Sequence, residues 1–118
     1  STSPLYQSME IKNDSVVIHF TNESGDLVTK DKYGYLSGFQ IAGTDKKFHW
    51  AKAYINNNSV IVYSEVVQKP LAVRYAWSDN PGNIDLYNTE GLPASPFRTD
   101  DWPLITKGKL FSENPWEF

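Results

Sequence analysis

The sequence predicts an all-β domain: an antiparallel β-sandwich of jelly-roll or immunoglobulin-like type, with about seven to eight strands. Three observations carry this. The residue mix favours strands, since aromatics make up 14% of the 118 residues, Val, Ile and Thr are frequent, and Ala and Leu are sparse. Turn signals recur at a pitch of about 10 to 12 residues, the cadence of a sandwich or barrel. They fall at Asn13-Asp14, Glu23-Ser24-Gly25, Lys32-Tyr33-Gly34, Gly43-Thr44-Asp45, Asn56-Asn57-Asn58, Gln68-Lys69-Pro70 and Asp79-Asn80-Pro81-Gly82. No segment longer than about ten residues keeps an apolar stripe of helical period.

The strands follow in order. Leu5 to Lys12 is the first, with Leu5, Met9 and Ile11 on one face. Ser15 to Phe20 is the second, placing Val16, Ile18 and Phe20 on one side and Val17 and His19 on the other. Asn13-Asp14 joins them as a two-residue hairpin turn, because Asn and Asp tolerate positive φ. Leu27 to Lys30 reads as a short edge strand, and Leu36 to Ala42 as a strand carrying Phe39 and Ile41. Phe48 to Ile55 alternates Phe48, Trp50 and Tyr54 against Ala51, Ala53 and Ile55. Ser59 to Tyr63 pairs with it across the Asn triplet. Leu71 to Trp77 sets Leu71, Val73, Tyr75 and Trp77 on one face, which puts Trp77 in the core with Val73, Tyr75 and Phe39. The region from Asn80 onward holds five of the seven prolines. Proline removes a ladder donor, so this region reads as ordered loop with short strand pieces, and Gly91 to Asp100 as loop without ladder pairing. Leu92 and Phe97 are its anchors.

Length and charge bound the function. The chain is one domain with one core. Eleven basic residues against fourteen acidic ones give a net charge of -3, which argues against a broad nucleic-acid footprint. There is no cysteine, so disulfides and thiolate metal sites are excluded. No apolar run approaches the roughly 20 residues that span a bilayer. The chain starts at Ser1 without a signal segment and reads as a piece of something longer.

Catalytic chemistry finds little foothold. Eleven serines are present but none lies in G-x-S-x-G. The candidate bases, His19 and His49, read as solvent-facing or hydrogen-bonded strand residues. Two isolated histidines do not make a transition-metal site. Asp79, Asn83 and Asp85 are hard oxygen ligands by type, but their loop lacks the calcium-loop spacing and reads as a turn. Aromatic rings beside carboxylates are the chemistry of sugar binding. Trp50 and Trp77 read as core. Trp102, between Asp100-Asp101 and Pro103, reads as exposed. Arg98, in Phe97-Arg98-Thr99-Asp100-Asp101, reads as one half of a local Arg–Asp pair. The candidates for sugar contact are therefore Trp102, Tyr87 and Arg98. No catalytic residue, metal ligand or cofactor is assigned.

One stretch goes beyond generic strand sequence. Arg74-Tyr75-Ala76-Trp77-Ser78-Asp79-Asn80-Pro81 runs on to Asp85-Leu86-Tyr87-Asn88 and Glu90-Gly91-Leu92-Pro93-Ala94-Ser95-Pro96-Phe97-Arg98-Thr99-Asp100. It resembles the C-terminal part of the sialate O-acetylesterase family of carbohydrate esterases. Pro4-Leu5-Tyr6, Leu36 to Gly43 and Phe48 to Ala53 resemble that family in the same order. The resemblance implies a β-sandwich that follows a catalytic domain of the SGNH-hydrolase type, in a secreted or periplasmic protein. Neither the nucleophile motif nor the Asp-x-x-His motif of that family is present, so no catalytic residue carries over. The expected role is a non-catalytic accessory domain whose partner is the catalytic domain of the same enzyme. The competing readings are a free-standing carbohydrate-binding module and, last, a self-contained enzyme.

Overall fold

A computed structural model describes residues 2–77 and 84–104. Eleven strands run through them: β1 Tyr6–Lys12, β2 Ser15–Phe20, β3 Leu27–Thr29, β4 Tyr35–Leu36, β5 Phe39–Ala42, β6 His49–Trp50, β7 Lys52–Asn56, β8 Ser59–Tyr63, β9 Ala72–Tyr75, β10 Leu86–Asn88 and β11 Phe97–Arg98. Every ladder is antiparallel. A five-stranded sheet, β1-β2-β8-β7-β4, faces a four-stranded sheet, β11-β9-β5-β6, and a two-stranded ribbon, β10-β3, adds to them. Val16, Ile18, Val60 and Val62 from the larger sheet meet Phe39, Ile41, Val73 and Tyr75 from the smaller one, all fully buried, in a single core. This is the all-β sandwich that the turn pitch predicts.

Local chemistry explains the hairpins. β1 and β2 join through Asn13, which takes φ 59°. β7 and β8 join through Asn57 and Asn58 at φ 52° and 60°, the two positive values of a type I′ turn. The face expected for the first strand is corrected. The ladder slips by one residue between Tyr6 and Ser8, so Tyr6 rather than Leu5 packs on the core with Met9; Ile11 shares the face of Met9, opposite Val16, but stays 47% exposed on this edge strand.

Two segments expected as single strands are each divided between the sheets. Leu36 to Ala42 breaks at Ser37-Gly38, where Gly38 takes φ +88°. β4 pairs with β7 in the larger sheet and β5 with β9 in the smaller. The Ser37 N–H and Oγ donate to Asp85 at 3.1 and 3.3 Å and hold this crossing. Phe48 to Ile55 breaks at Ala51, whose N–H donates to the Phe39 carbonyl at 2.9 Å. β6 pairs with β5 and β7 with β8. These divisions, with β10 and β11, raise the strand number to eleven.

The placement of two tryptophans in the core is corrected. Trp50 pairs with Gln40, which points away from Phe39 and Ile41, so Trp50 shares the outer face and is 59% exposed. On β9, Val73 and Tyr75 are buried as expected and Tyr75 packs 4.5 Å from Phe39 between ring centroids. Ala76 then adopts φ 53°, donates its N–H to the Gly38 carbonyl, and turns Trp77 outward to 39% exposure. The Gly91 to Asp100 stretch is ordered but not free of ladder. Phe97 pairs with Tyr75 and Arg98 with Arg74, because only Pro96 and Pro93 lack donors and both precede the strand. Phe97 is buried and stacks 4.9 Å from Tyr6, whereas Leu92 is only partly covered. The turn predicted at Asp79 to Gly82 lies outside the described residues, as does everything after Leu104.

Candidate functional site

The sequence candidates divide. Arg98 and Trp102 come together: Arg98 Nη1 donates to the Trp102 carbonyl at 3.1 Å, and its guanidinium carbon lies 5.5 Å from the Trp77 ring centroid. Tyr87 lies on the two-stranded ribbon, with Lys30 Nζ 4.5 Å from its ring centroid and its hydroxyl donating to the Ile84 carbonyl. The local Arg–Asp pair expected for Arg98 forms with Asp100, but as the looser of two. Asp100 is gripped by Arg74, whose Nε and Nη2 donate at 3.0 and 2.8 Å, while Arg98 Nη1 is 3.8 Å away. The reason is register, since β9 and β11 place Arg74 and Arg98 side by side and the fork of Arg74 fits both carboxylate oxygens. Burial alone would push the Asp100 carboxyl up. The hydrogen bonds and charge of Arg74, with the Trp102 N–H, outweigh burial and hold it below the ordinary carboxylate value. The Arg74 guanidinium also caps the Phe48 ring at 3.9 Å. Phe48, Trp102, Lys46, Lys47 and Arg74 line a hollow of about 600 Å³.

A second hollow went unmarked by sequence reasoning. It lies at the corner where the chain crosses between the sheets, at Ser37-Gly38 and again at Ala51. β4 is the edge of one sheet and β6 the edge of the other. Their parting leaves a groove of about 490 Å³ lined by Tyr35, Trp50, Tyr54 and Tyr63 together with small residues such as Gly38 and Ala51. The signal available in the sequence was Gly38 in mid-strand, which marks a bend or a close approach.

A third arrangement joins distant residues. The β2–β8 ladder sets His19 beside Ser59, and Ser59 Oγ lies 2.9 Å from His19 Nδ1 while Glu10 Oε1 lies 3.8 Å from Nε2. The types are those of a Ser–His–acid triad. The setting differs from a working one. Ser59 is only 9% exposed, and β8 is paired on both sides, so the backbone N–H groups around Oγ are held in ladders rather than aimed at an oxyanion. Glu10, at 3.8 Å, holds the imidazole loosely. The arrangement satisfies the Ser59 hydroxyl and ties β2 to β8. No cue in the sequence gave this contact, because it depends on which strands become neighbours.

No protein-family model matches the chain, and no curated protein matches it. Among solved structures it resembles a novel carbohydrate acetylesterase from Xanthomonas citri, with a TM-score of 0.79 and 40% identity over 86% of this chain. The match spans 23% of the esterase chain. The chain is thus a β-sandwich related to one portion of a carbohydrate esterase.

Proposed function

We propose that this chain is a non-catalytic accessory domain of a carbohydrate esterase that removes O-acetyl groups from sialic acid or a related sugar, in a secreted or periplasmic setting. It packs against the catalytic domain of that enzyme. The observation that supports the reading most is the match at 40% identity to under a quarter of a carbohydrate acetylesterase. The Leu86 to Asp100 block adds to it through its resemblance to the sialate family. The Ser59–His19–Glu10 geometry, with a buried hydroxyl and no presented N–H donors, supports placing the chemistry on another domain.

The test is acetate release from p-nitrophenyl acetate and from O-acetylated sialic acid by the purified chain, alone and mixed with a separately expressed SGNH-type catalytic polypeptide. The expected outcome is turnover no greater than imidazole background for the chain alone and stable association with the catalytic polypeptide. Turnover well above background that vanishes in Ser59→Ala or His19→Ala would overturn the reading, and so would failure to associate.

A further inference from the structure

We infer that the corner groove lined by Tyr35, Trp50, Tyr54 and Tyr63 binds a neutral carbohydrate chain. Water-exposed rings are the first observation. Trp50 is 59% and Tyr35 58% exposed, and both line one concavity rather than being scattered over the surface. Its volume, about 490 Å³, falls within the range of small-ligand sites. Aromatic side chains in the lining suit the apolar faces of pyranose rings, and Gly38 and Ala51 add little bulk beside them.

The polar chemistry narrows the ligand. Among the described residues lining the groove, Lys52 is the one formally charged side chain, and its Nζ lies 3.6 Å from Glu65. One solvent-exposed ammonium with a carboxylate beside it is a weak basis for holding an anion. The groove offers tyrosine hydroxyls and the outer backbone groups of two edge strands, which suit hydroxyl-rich partners. A peptide adding itself as a strand is disfavoured, because β4 and β6 are two residues long and give too short a template. Choosing a glycan over another neutral ring compound rests on the proposed esterase reading; the groove itself does not.

The experiment is affinity electrophoresis of the full chain through gels containing soluble cellulose ether, xylan or mannan. At least one polysaccharide should retard the chain, and Trp50→Ala and Tyr35→Ala should each weaken binding roughly tenfold or more, as loss of a central aromatic contact does. Both side chains are largely exposed, so the variants keep the fold, which circular dichroism checks. Tyr33→Ala removes a ring that is 73% exposed and outside the groove, and should leave retardation unchanged. No retardation by any polysaccharide, or retardation untouched by both groove variants, overturns the inference. Loss of association with the catalytic polypeptide in Trp50→Ala, without polysaccharide binding by the parent chain, makes the groove a domain interface and equally overturns it. The esterase reading is scored separately, by acetate release and by association of the unaltered chain, so either can fail while the other stands.

Discussion

Tyr75 carries its hydroxyl into the centre of the sandwich, where it has no hydrogen-bond partner among the described residues. Burial pushes its pKa up to about 12; the Leu86 backbone beside it opposes the shift without reaching hydrogen-bond geometry, and Asp85 and Tyr87 add to it. The neutral phenol is therefore the form the fold requires. Its contribution is whole below the ordinary value of 10.0 and is lost as pH rises toward the folded value near 12. The loss amounts to roughly 2 to 3 kcal/mol. Tyr75→Phe keeps the ring against Phe39 and removes the orphaned hydroxyl. Denaturant melts should show a variant as stable as the parent, or more stable by about 1 kcal/mol, at neutral pH. Above pH 10 its advantage should widen, and an equal alkaline loss in both proteins would count against this account. Asp100 works in the opposite sense. Its lowered pKa stabilises the fold above the ordinary carboxylate value of 3.8, and that stability drains away as pH falls through the lower folded value. Arg74→Ala leaves the Asp100 carboxylate, 2% exposed, without its bidentate partner and should cost about 3 kcal/mol at pH 7, less at pH 3. Trp77, by contrast, is exposed enough that Trp77→Ala should cost only about 1 kcal/mol, not the larger penalty of a core ring.

The elements show how far the sequence could be read. Ser15 to Phe20 and Ser59 to Tyr63 were legible to the residue, because period-two alternation is a local property and the flanking Asn turns are local chemistry. The crossings at Ser37-Gly38 and Ala51 were not. At the first, Leu36 and Phe39 are both buried, so the alternation changes phase, and Gly38 was the one local sign of it; at the second, Ala51 and Ala53 carry the alternation on, and only the change of partner strand reveals the switch. Trp50 was misplaced for the same reason: its face follows from facing Gln40, a long-range fact. The contact of Arg98 with Trp102 is local, since only three residues separate them, whereas the Tyr35–Trp50 corner exists only once both sheets form. The structural role of Asn88 was not legible. The residue is 2% exposed, donates to the Thr2 carbonyl, and accepts from the Glu90 and Leu92 N–H groups, organising the turn after β10. Asn88→Ala should cost about 2 kcal/mol and speed exchange of the Leu92 amide, while Asn88→Asp, retaining the acceptor, should cost less. Gly38 is the pivot of the first crossing. At φ +88° a side chain is strained, so Gly38→Ala should cost about 1 to 2 kcal/mol although it is an ordinary substitution by size.

At the scale of the whole molecule, one core serves all three sheets. Leu27 and Leu86 from the ribbon pack into the same cluster as Val16 and Val73, so no sheet has a hydrophobic face of its own to retain if another leaves. Unfolding should therefore be a single transition. The tryptophans give this a sharp test. Trp50 and Trp77 sit outside the core, and Trp102 belongs to the partly covered stretch after β11, so their fluorescence reports the surface while far-UV circular dichroism reports the ladders. The two probes should share one denaturation midpoint. An earlier midpoint in fluorescence alone would show that a surface segment opens before the ladders and would overturn the single transition. The order of the strands also sets the speed. β2 pairs with β8, β5 with β9, and β3 with β10, so each sheet waits on pairings distant in sequence. Among the described strands, only the β1–β2 and β7–β8 hairpins and the short β5–β6 pairing form locally. Loop closure must precede most of the burial, and refolding by stopped flow should fall in the range of milliseconds to seconds expected of non-local β topology. Asn57→Ala strains the type I′ turn of the β7–β8 hairpin. If that hairpin nucleates the larger sheet, the variant slows refolding with little change in the unfolding rate; a change confined to unfolding would place nucleation at the long-range β2–β8 contact instead.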